Sequence, residues 1–171
     1  RNGEADILIG TQMIVKGHDF PNVTLVAALA ADMSLYAGDY RSSERTFELL
    51  MQASGRAGRA EKAGEVVIQT YNPEEYSIQA VAGQDAEYFY ENELAFRRLM
   101  KYPPYSQMAA ILILSEEENE AKTLSEKLAE NIHSVCGDAV TLIGPSKAGL
   151  SRAKDRYRYV LYVKSMDEEA M

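Results

Sequence analysis

The sequence predicts two neighbouring folds, an α/β layer in the first part of the chain and an α+β domain in the last part. Three observations predict this division. Short apolar runs alternate with a helical segment early in the chain; Asn72-Pro73 and Tyr102-Pro103-Pro104-Tyr105 interrupt regular structure; and a new strand-and-helix pattern follows the second interruption. The predicted parts are a partial α/β domain at 1–72, a helical connector at 73–104 and an α+β domain at 105–171.

The first part contains the elements of an α/β layer. The apolar run at 6–9 ends at Gly10 and predicts a short buried strand. Residues 23–30 are apolar without glycine or proline, which is typical of a parallel strand covered on both faces. A helix is predicted over 43–57, and the alternating residues 65–71 predict another strand. The helix is indicated by residues at i, i+3, i+4 and i+7 on one face, namely Phe47, Leu50, Met51 and Ser54.

The second part begins after a helical stretch at 74–101 that Gly83 is expected to interrupt. The elements that follow are a strand at 106–114, an amphipathic helix at 117–134, a strand at 140–143 that ends at Gly144-Pro145, and a strand at 157–163. The inward side chains of that helix are expected to be Ala121, Leu124, Leu128 and Ile132. This β-α-β-β order fits the first two thirds of a ferredoxin-like α+β unit, so we expect a truncated domain of that kind.

Composition excludes several classes of protein. The 171 residues carry a formal net charge of -8, which argues against a surface that coats nucleic acid everywhere. One cysteine excludes a disulfide framework, and with only two histidines we expect no metal site in this chain. No apolar run approaches the ~20 residues of a membrane span. Because the chain begins without an initiating methionine, we expect part of a longer cytoplasmic protein.

One segment is basic despite the acidic total. Lys147–Lys164 holds six basic residues, one acid (Asp155) and three interleaved tyrosines. In a strand, Arg156 and Arg158 share one face while Tyr157 and Tyr159 share the other. Cations and stacking aromatics together hold single-stranded nucleic acid. The alternative, which we favour for the tyrosines, is that they fill the core of the small domain.

A first motif lies at the end of the predicted helix, where Gln52 is followed by Arg56 and Arg59 with glycines between them. Guanidinium groups are always charged and bind phosphate bidentately. An arginine that reaches a γ-phosphate stabilises the charge that develops in phosphoryl transfer. The alternative is a helix C-terminus at which cations offset the macrodipole and glycines act as caps.

A second motif occupies the loop that follows the strand at 6–9. Its sequence is Gly-Thr-Gln-Met-Ile-Val-Lys-Gly-His-Asp-Phe-Pro, at 10–21. It combines a hydroxyl, an amide, a cation and an acid, and ligands of open α/β sheets bind in such loops at the carboxyl ends of strands. An ordinary connection with a solvated Lys-Gly turn is the alternative.

Together the two motifs resemble motifs V and VI in the second RecA-like lobe of superfamily-two helicases. The string at 10–26 resembles more specifically the primosomal replication-restart helicases. Three further stretches resemble that family: Asp39-Tyr-Arg-Ser-Ser-Glu-Arg45, Arg97-Arg98 with Tyr102-Pro-Pro-Tyr105, and Gly144-Pro145 with Arg156-Tyr-Arg-Tyr159. The chain lacks the family's phosphate-binding glycine-lysine loop, its acidic Mg²⁺ motif and its paired zinc cysteines, which would lie upstream.

The resemblance implies an ATP-driven helicase that moves 3′ to 5′ on DNA and restarts stalled replication forks. It implies ATP and Mg²⁺ in the intact protein, and zinc there but without ligands in this chain. The implied partners are single-stranded and forked DNA, single-stranded DNA-binding protein and other primosome proteins, with no membrane. The implied location is the bacterial cytoplasm, in association with the nucleoid.

The resemblance also assigns roles to single residues. For ATP they are Arg56, Arg59, Gly17 and Asp19, with Gln52 near the lobe interface as the third catalytic candidate. For DNA they are Thr11, Gln12 and Lys16, and Lys16 could serve the nucleotide instead. The basic segment adds Arg152, Lys154, Arg156 and Arg158 as DNA-binding candidates. The role of His18 stays open.

Two other functions are compatible with the sequence. The chain could be a docking module for DNA or for an acidic protein tail, without catalytic activity of its own. It could also belong to a related superfamily-two motor, such as a branch-migrating or transcription-coupled helicase.

Overall fold

A computed structural model describes residues 5–11, 22–36, 38–57 and 64–167 of the chain. The chain divides into two compact units, Arg1–Glu93 and Leu94–Met171. The boundary falls inside one helix, so the stretch 73–104, predicted as a connector, is divided between the two units.

The first unit contains a small parallel sheet. Strand β1 (Leu25–Ala28) pairs with β2 (Glu65–Ile68), and Leu25 lies opposite Glu65. Both strands are shorter than predicted. The strand predicted at 6–9 is wrong: these residues have no regular secondary structure, and Ile9 is 89% exposed. An apolar run becomes a strand only where a neighbour satisfies its backbone groups, and no described strand pairs with this one.

Three helices surround the core of this unit. They are α1 (Ser42–Ser54), α2 (Tyr76–Gly83) and α3 (Ala86–Met100), so the predicted interruption at Gly83 is confirmed. Phe47 of α1 and Phe89 of α3 stack with ring centroids 4.0 Å apart and an interplanar angle of 1°. The core members are Ala31, Phe47, Leu50, Ile78, Ala80, Val81 and Phe89. The i, i+3 spacing thus identified the buried face of α1 correctly, although the helix ends three residues before position 57.

A buried carboxylate ties the loop after β2 to a short 3₁₀ turn at Ala31–Ser34. The Thr70 hydroxyl donates a hydrogen bond to Asp32 Oδ1, and the Tyr71 backbone N–H donates to Asp32 Oδ2 at 2.7 Å. These hydrogen bonds, the one from Thr70 above all, lower the pKa of the Asp32 carboxyl because they stabilise its charged form.

The second unit is an antiparallel sheet with one helix packed on it. Its elements are β3 (Gln107–Ser115), α4 (Glu118–Cys136), β4 (Thr141–Ala153) and β5 (Arg156–Ser165), preceded by the last part of α3. The strand order is β3-β5-β4, and β5 is antiparallel to both neighbours. The predicted β-α-β-β order is confirmed. Among the described residues this unit has no further helix or strand after β5.

Strand β4 does not end at Gly144-Pro145 as predicted but continues to Ala153. Its pairing with β5 shifts between Ile143 and Ser146. Gly144 lies there with a φ of +97°, and a Cβ at this position would be 3.0 Å from the Val160 carbonyl oxygen. Glycine therefore lets the strand pass this irregularity and resume its pairing.

Helix α4 covers one face of the sheet. Ile113, Ala121, Tyr159 and Leu161 form the buried cluster, with Leu128 and Ile132 packed against it. The prediction that Leu124 faces inward is wrong, since its side chain is 53% exposed. The buried stripe of the helix passes through Ser125 instead, and Leu124 lies at its edge.

Candidate functional site

The end of α1 positions the first predicted motif. Gly55 follows the last residue of the helix, and its N–H donates to the Met51 carbonyl at 3.0 Å. The Arg56 N–H donates in turn to the Ala53 carbonyl at 3.0 Å. These bonds continue the helical path past Ser54, so Gln52 is exposed on the last turn and Arg56 lies half-buried just beyond it. The arrangement places one cation at the end of a helix, where phosphate binding and macrodipole compensation are both possible.

The other members of the two nucleotide-site motifs are only partly within the described residues. Thr11 is exposed. The remaining candidates lie outside the described residues: Gln12, Lys16, Gly17, His18, Asp19 and Arg59. The roles predicted for these residues stay predictions.

The basic segment forms a β-hairpin with a cationic tip. The turn between β4 and β5 is made by Lys154 and Asp155, whose φ angles are 51° and 59°. Positive φ at both central residues gives the twist that joins antiparallel strands directly. Lys154 and Arg156 are exposed at this tip. The guanidinium of Arg152 lies 3.4 Å from Asp155 Oδ1 and 5.1 Å from the centroid of the Tyr157 ring.

A second cation of the hairpin is held by the helix. The Lys147 ammonium lies 2.5 Å from a carboxylate oxygen of Glu118, at the start of α4. The hydrogen bond and charge of Glu118 raise the pKa of the Lys147 ammonium. Both side chains are partly exposed, so this pair orients the lysine and contributes little to stability.

The two faces of β5 have different surroundings, as predicted. Tyr159 lies opposite Ile113 and is buried beneath α4, and Tyr157 packs against the same cluster. Arg158 lies opposite Leu114, on the other face of the sheet, and is half-buried. The tyrosines at 157 and 159 therefore belong to the core, which confirms the interpretation favoured for them.

Two further residues of β5 lie on the same face as Arg158 and were not among the residues predicted to bind DNA. Tyr162 lies in register with Ala110 on β3 and with Ile143 on β4. The Lys164 ammonium donates to the Met100 carbonyl at 3.1 Å and lies 4.9 Å from the centroid of the Tyr102 ring. The alternation of β5 could have identified both residues, because positions 158, 162 and 164 share the parity that faces away from the helix.

Within the described part of the chain, no three His, Cys, Asp or Glu side chains are grouped so that they could hold a metal ion. None of the described helices combines the length and the hydropathy of a membrane span.

Comparison with known proteins relates both units to one kind of protein. Residues 1–61 match the family model of the helicase conserved C-terminal domain, and residues 98–170 match that of the primosomal protein N C-terminal domain. The chain is 51% identical over 166 residues to replication restart protein PriA of Bacillus subtilis (strain 168), which covers 97% of this chain and 21% of that protein.

Two other relatives extend the comparison. The chain is 42% identical over 164 residues to replication restart protein PriA of Synechocystis sp. (strain ATCC 27184 / PCC 6803 / Kazusa), covering 96% of this chain and 20% of that protein. It is 40% identical over 163 residues to the protein of the same name from Rickettsia typhi (strain ATCC VR-144 / Wilmington), covering 95% of this chain and 24% of that protein. The chain thus spans about a fifth to a quarter of the length of these curated relatives.

Proposed function

Since this chain belongs to the family of replication restart protein PriA, we propose that it works as part of an ATP-dependent DNA helicase. It contributes the end of the second motor lobe and part of the C-terminal domain. The helicase moves 3′ to 5′ on DNA, restarts stalled replication forks and assembles the primosome. The arrangement of Gln52 and Arg56 on and just past the last turn of α1 is the observation that carries the motor assignment.

On the nucleotide side, the chain supplies cations to a site built elsewhere. Arg56 fits a phosphate ligand by charge and by its paired donors, and Arg59, Gly17 and Asp19 are proposed to complete this side. ATP with Mg²⁺ supplies the phosphoryl group and its leaving group when bound. Guanidinium groups stabilise the charge that spreads over the transferred phosphoryl oxygens. Among the described residues no three His, Cys, Asp or Glu side chains are grouped to hold a metal ion, and we assign no step in this chain to Mg²⁺ or zinc.

On the DNA side, we assign two surfaces. Thr11, Gln12 and Lys16 contact the DNA backbone from the motor lobe. The tip of the β4–β5 hairpin provides the second surface, through Arg152, Lys154, Arg156 and Arg158. The support for the tip is its concentration of exposed cations in a chain whose net charge is -8.

The remaining parts of the proposal follow from the family. The partners are single-stranded and forked DNA, single-stranded DNA-binding protein and other primosome proteins, in the bacterial cytoplasm near the nucleoid. We also propose that the second unit is the first part of a ferredoxin-like domain, because β5 lies between β3 and β4 and is antiparallel to both, as in a split βαβ unit.

Single-stranded-DNA-stimulated ATP hydrolysis by a full-length protein that contains this chain tests the motor assignment. Arg59→Ala and Arg56→Ala should each lower the turnover strongly, by about 10³-fold or more for an arginine that contacts the transferred phosphoryl group. Arg45→Ala, in the same helix, is the matched control. Arg45 lies away from the motif, and its guanidinium pairs with the Asp39 carboxylate at 2.8 Å. Unchanged turnover in both motif variants would contradict the assignment.

A DNA-docking module without activity of its own is the second candidate function, and the exposed hairpin tip favours it. The two functions predict different results for the double change Lys154→Gln with Arg156→Gln. In a docking module this change lowers the DNA affinity and nothing else, whichever residue occupies position 56.

A further inference from the structure

The face of the three-stranded sheet that points away from α4 is exposed over most of its length, and at one end Lys164 contacts Met100 and Tyr102, which precede β3. We call this face the open face. Its aliphatic side chains keep much of their exposure: Leu112 is 41% exposed, Leu114 45% and Ile143 38%. Isolated exposed apolar residues are ordinary, but neighbouring ones on one face indicate a binding surface. Leu112 and Leu114 lie on β3, and Ile143 lies on β4, on either side of β5.

Tyr162 lies at the centre of this open face. It is on the middle strand, and its register partners are Ala110 on one side and Ile143 on the other. Ala110 is exposed and has a small side chain, so it can cover little of the Tyr162 ring. The ring is half-buried, and the part of its conformational freedom already restricted by its neighbours is not lost again on binding a ligand.

The charge of this face is cationic. Among the residues that the register places on it, Arg156, Arg158 and Lys164 of β5 are the ionisable side chains apart from Tyr162, and none of the described residues there is a carboxylate. Arg158 and Lys164 are separated by six residues of strand, roughly 20 Å. In a chain of net charge -8, this local excess favours an anionic ligand that extends along the strand.

We propose that this open face binds single-stranded nucleic acid, with Tyr162 stacking on a base and Arg158 contacting the phosphate backbone. An exposed sheet face with an aromatic ring on its central strand suits planar bases, as in sheet-based RNA-binding modules. An acidic amphipathic helix is the other anionic candidate, but only a nucleic acid presents both a phosphate backbone for Arg158 and planar bases for Tyr162. The inference deepens the proposed function, since it rests on nucleic-acid binding by this chain and adds a further contact surface that shares Arg156 and Arg158 with the hairpin tip.

The test measures the fluorescence anisotropy of a fluorescein-labelled oligo-dT single strand titrated with the 171-residue chain at several salt concentrations. Tyr162→Leu removes the stacking surface and keeps an apolar side chain. We expect it to weaken binding about 5- to 150-fold, the range for the loss of one base–aromatic stack. Its salt dependence should stay as in the wild type, because no cation is lost. Arg158→Gln should weaken binding and reduce the slope of log K against log salt by about 0.7.

A second pair of variants keeps the test decisive if Tyr162→Leu lowers the melting temperature. Leu112→Glu places a negative charge on the open face, at a position exposed enough to accept it. Leu124→Glu places the same charge on an exposed position of α4, on the other side of the sheet. We expect Leu112→Glu to weaken oligonucleotide binding. Leu124→Glu should show only the small, non-specific effect of one added negative charge.

The outcomes separate this inference from the proposed function. If Lys154→Gln with Arg156→Gln weakens binding while Tyr162→Leu and Leu112→Glu bind as wild type, the DNA-binding proposal for the hairpin tip stands. The proposed binding of nucleic acid by the open face is then wrong. If the chain binds no oligonucleotide even at low salt, both are overturned for this chain. If a fluorescein-labelled acidic peptide binds in a Tyr162-dependent way and the oligonucleotide does not, the occupant is a protein and the inference is wrong.

Discussion

The Tyr76 hydroxyl donates a hydrogen bond to the Glu93 carboxylate, with the two oxygens 2.6 Å apart, and so joins the start of α2 to the middle of α3. Glu93 is almost wholly buried, a place where carboxylates are found only when they are paired. Tyr76→Phe removes a bond to a charged group and should lower the free energy of unfolding by about 1.5–3 kcal/mol. Chemical denaturation measures this, and Tyr71→Phe, at a position that is 88% exposed, is the control.

The same pair predicts a dependence on alkaline pH. Burial, and then the hydrogen bond to Glu93, raise the pKa of Tyr76 above its ordinary value of 10.0. As the pH rises, the Tyr76 hydroxyl therefore loses its proton in the unfolded chain before it does so in the folded chain. Its contribution to the free energy of unfolding is fully present below pH 10.0 and decreases as the pH rises beyond that value. Melting curves from pH 8 to 11 should show a smaller alkaline loss in Tyr76→Phe than in the wild type. An identical loss in both proteins would count against the role of this hydroxyl.

Acid should act through Asp32. Its pKa is lowered by the hydrogen bonds from Thr70 and Tyr71, so its contribution to stability is present above its ordinary pKa of 3.8 and lost as the pH falls further. Asp32→Asn should lower the melting temperature at neutral pH and reduce the loss on acidification. Asp138→Asn, at an exposed turn, serves as the comparison, and equal behaviour of the two variants would refute the prediction.

Tyr159 should matter for stability and not directly for DNA binding. It is 8% exposed in the cluster beneath α4, and removal of a large buried aromatic costs about 3–5 kcal/mol by analogy with phenylalanine. Tyr159→Ala should therefore lower the melting temperature strongly. Tyr71→Ala should leave it nearly unchanged. The prediction would be contradicted if Tyr159→Ala lost oligonucleotide binding at temperatures where it is still folded, because Tyr159 would then contact DNA directly.

Glu118 should restrain the DNA affinity of the hairpin. It holds the Lys147 ammonium at 2.5 Å, and Glu118→Gln removes that counter-charge. If DNA passes the hairpin as proposed, the released lysine adds up to one phosphate contact, so affinity should rise and the salt slope should steepen by at most about 0.7. Glu126→Gln, which instead frees Lys122 along α4, is the matched control. Equal effects from both variants would indicate a general charge effect.

The sequence predicted the elements with local signals better than those that depend on partners. The spacing of Phe47 and Leu50 identified the buried face of α1, and the alternation of Tyr157 and Tyr159 identified the buried face of β5. The strand expected at 6–9 failed because an apolar run needs a neighbouring strand, and β4 ran past Gly144 because pairing with β5 resumes beyond the irregularity. Contacts between distant residues decide both cases, and local composition does not contain them.

The candidate site shows the same division. Arg56 could be placed at the end of α1 from helix pattern and motif alone. The alternation of β5 could place Tyr162 on the same face as Arg158, but the exposure of its neighbours Leu112 and Ile143 follows from packing. The pairing of Lys147 with Glu118 likewise joins two elements far apart in sequence. The partners of a charged side chain, and so its availability to a ligand, follow from packing.

The alternation of β5 has a consequence for how this domain can change. The odd positions Tyr157, Tyr159 and Leu161 pack in the cluster beneath α4, while even positions such as Arg158 and Tyr162 lie on the other face. Substitutions at even positions can therefore retune recognition at little cost in folding. Insertion or deletion of a single residue would exchange the two sets, carrying cations beneath α4 and tyrosines into water. Variation in this strand should thus proceed by replacement, with its length held constant.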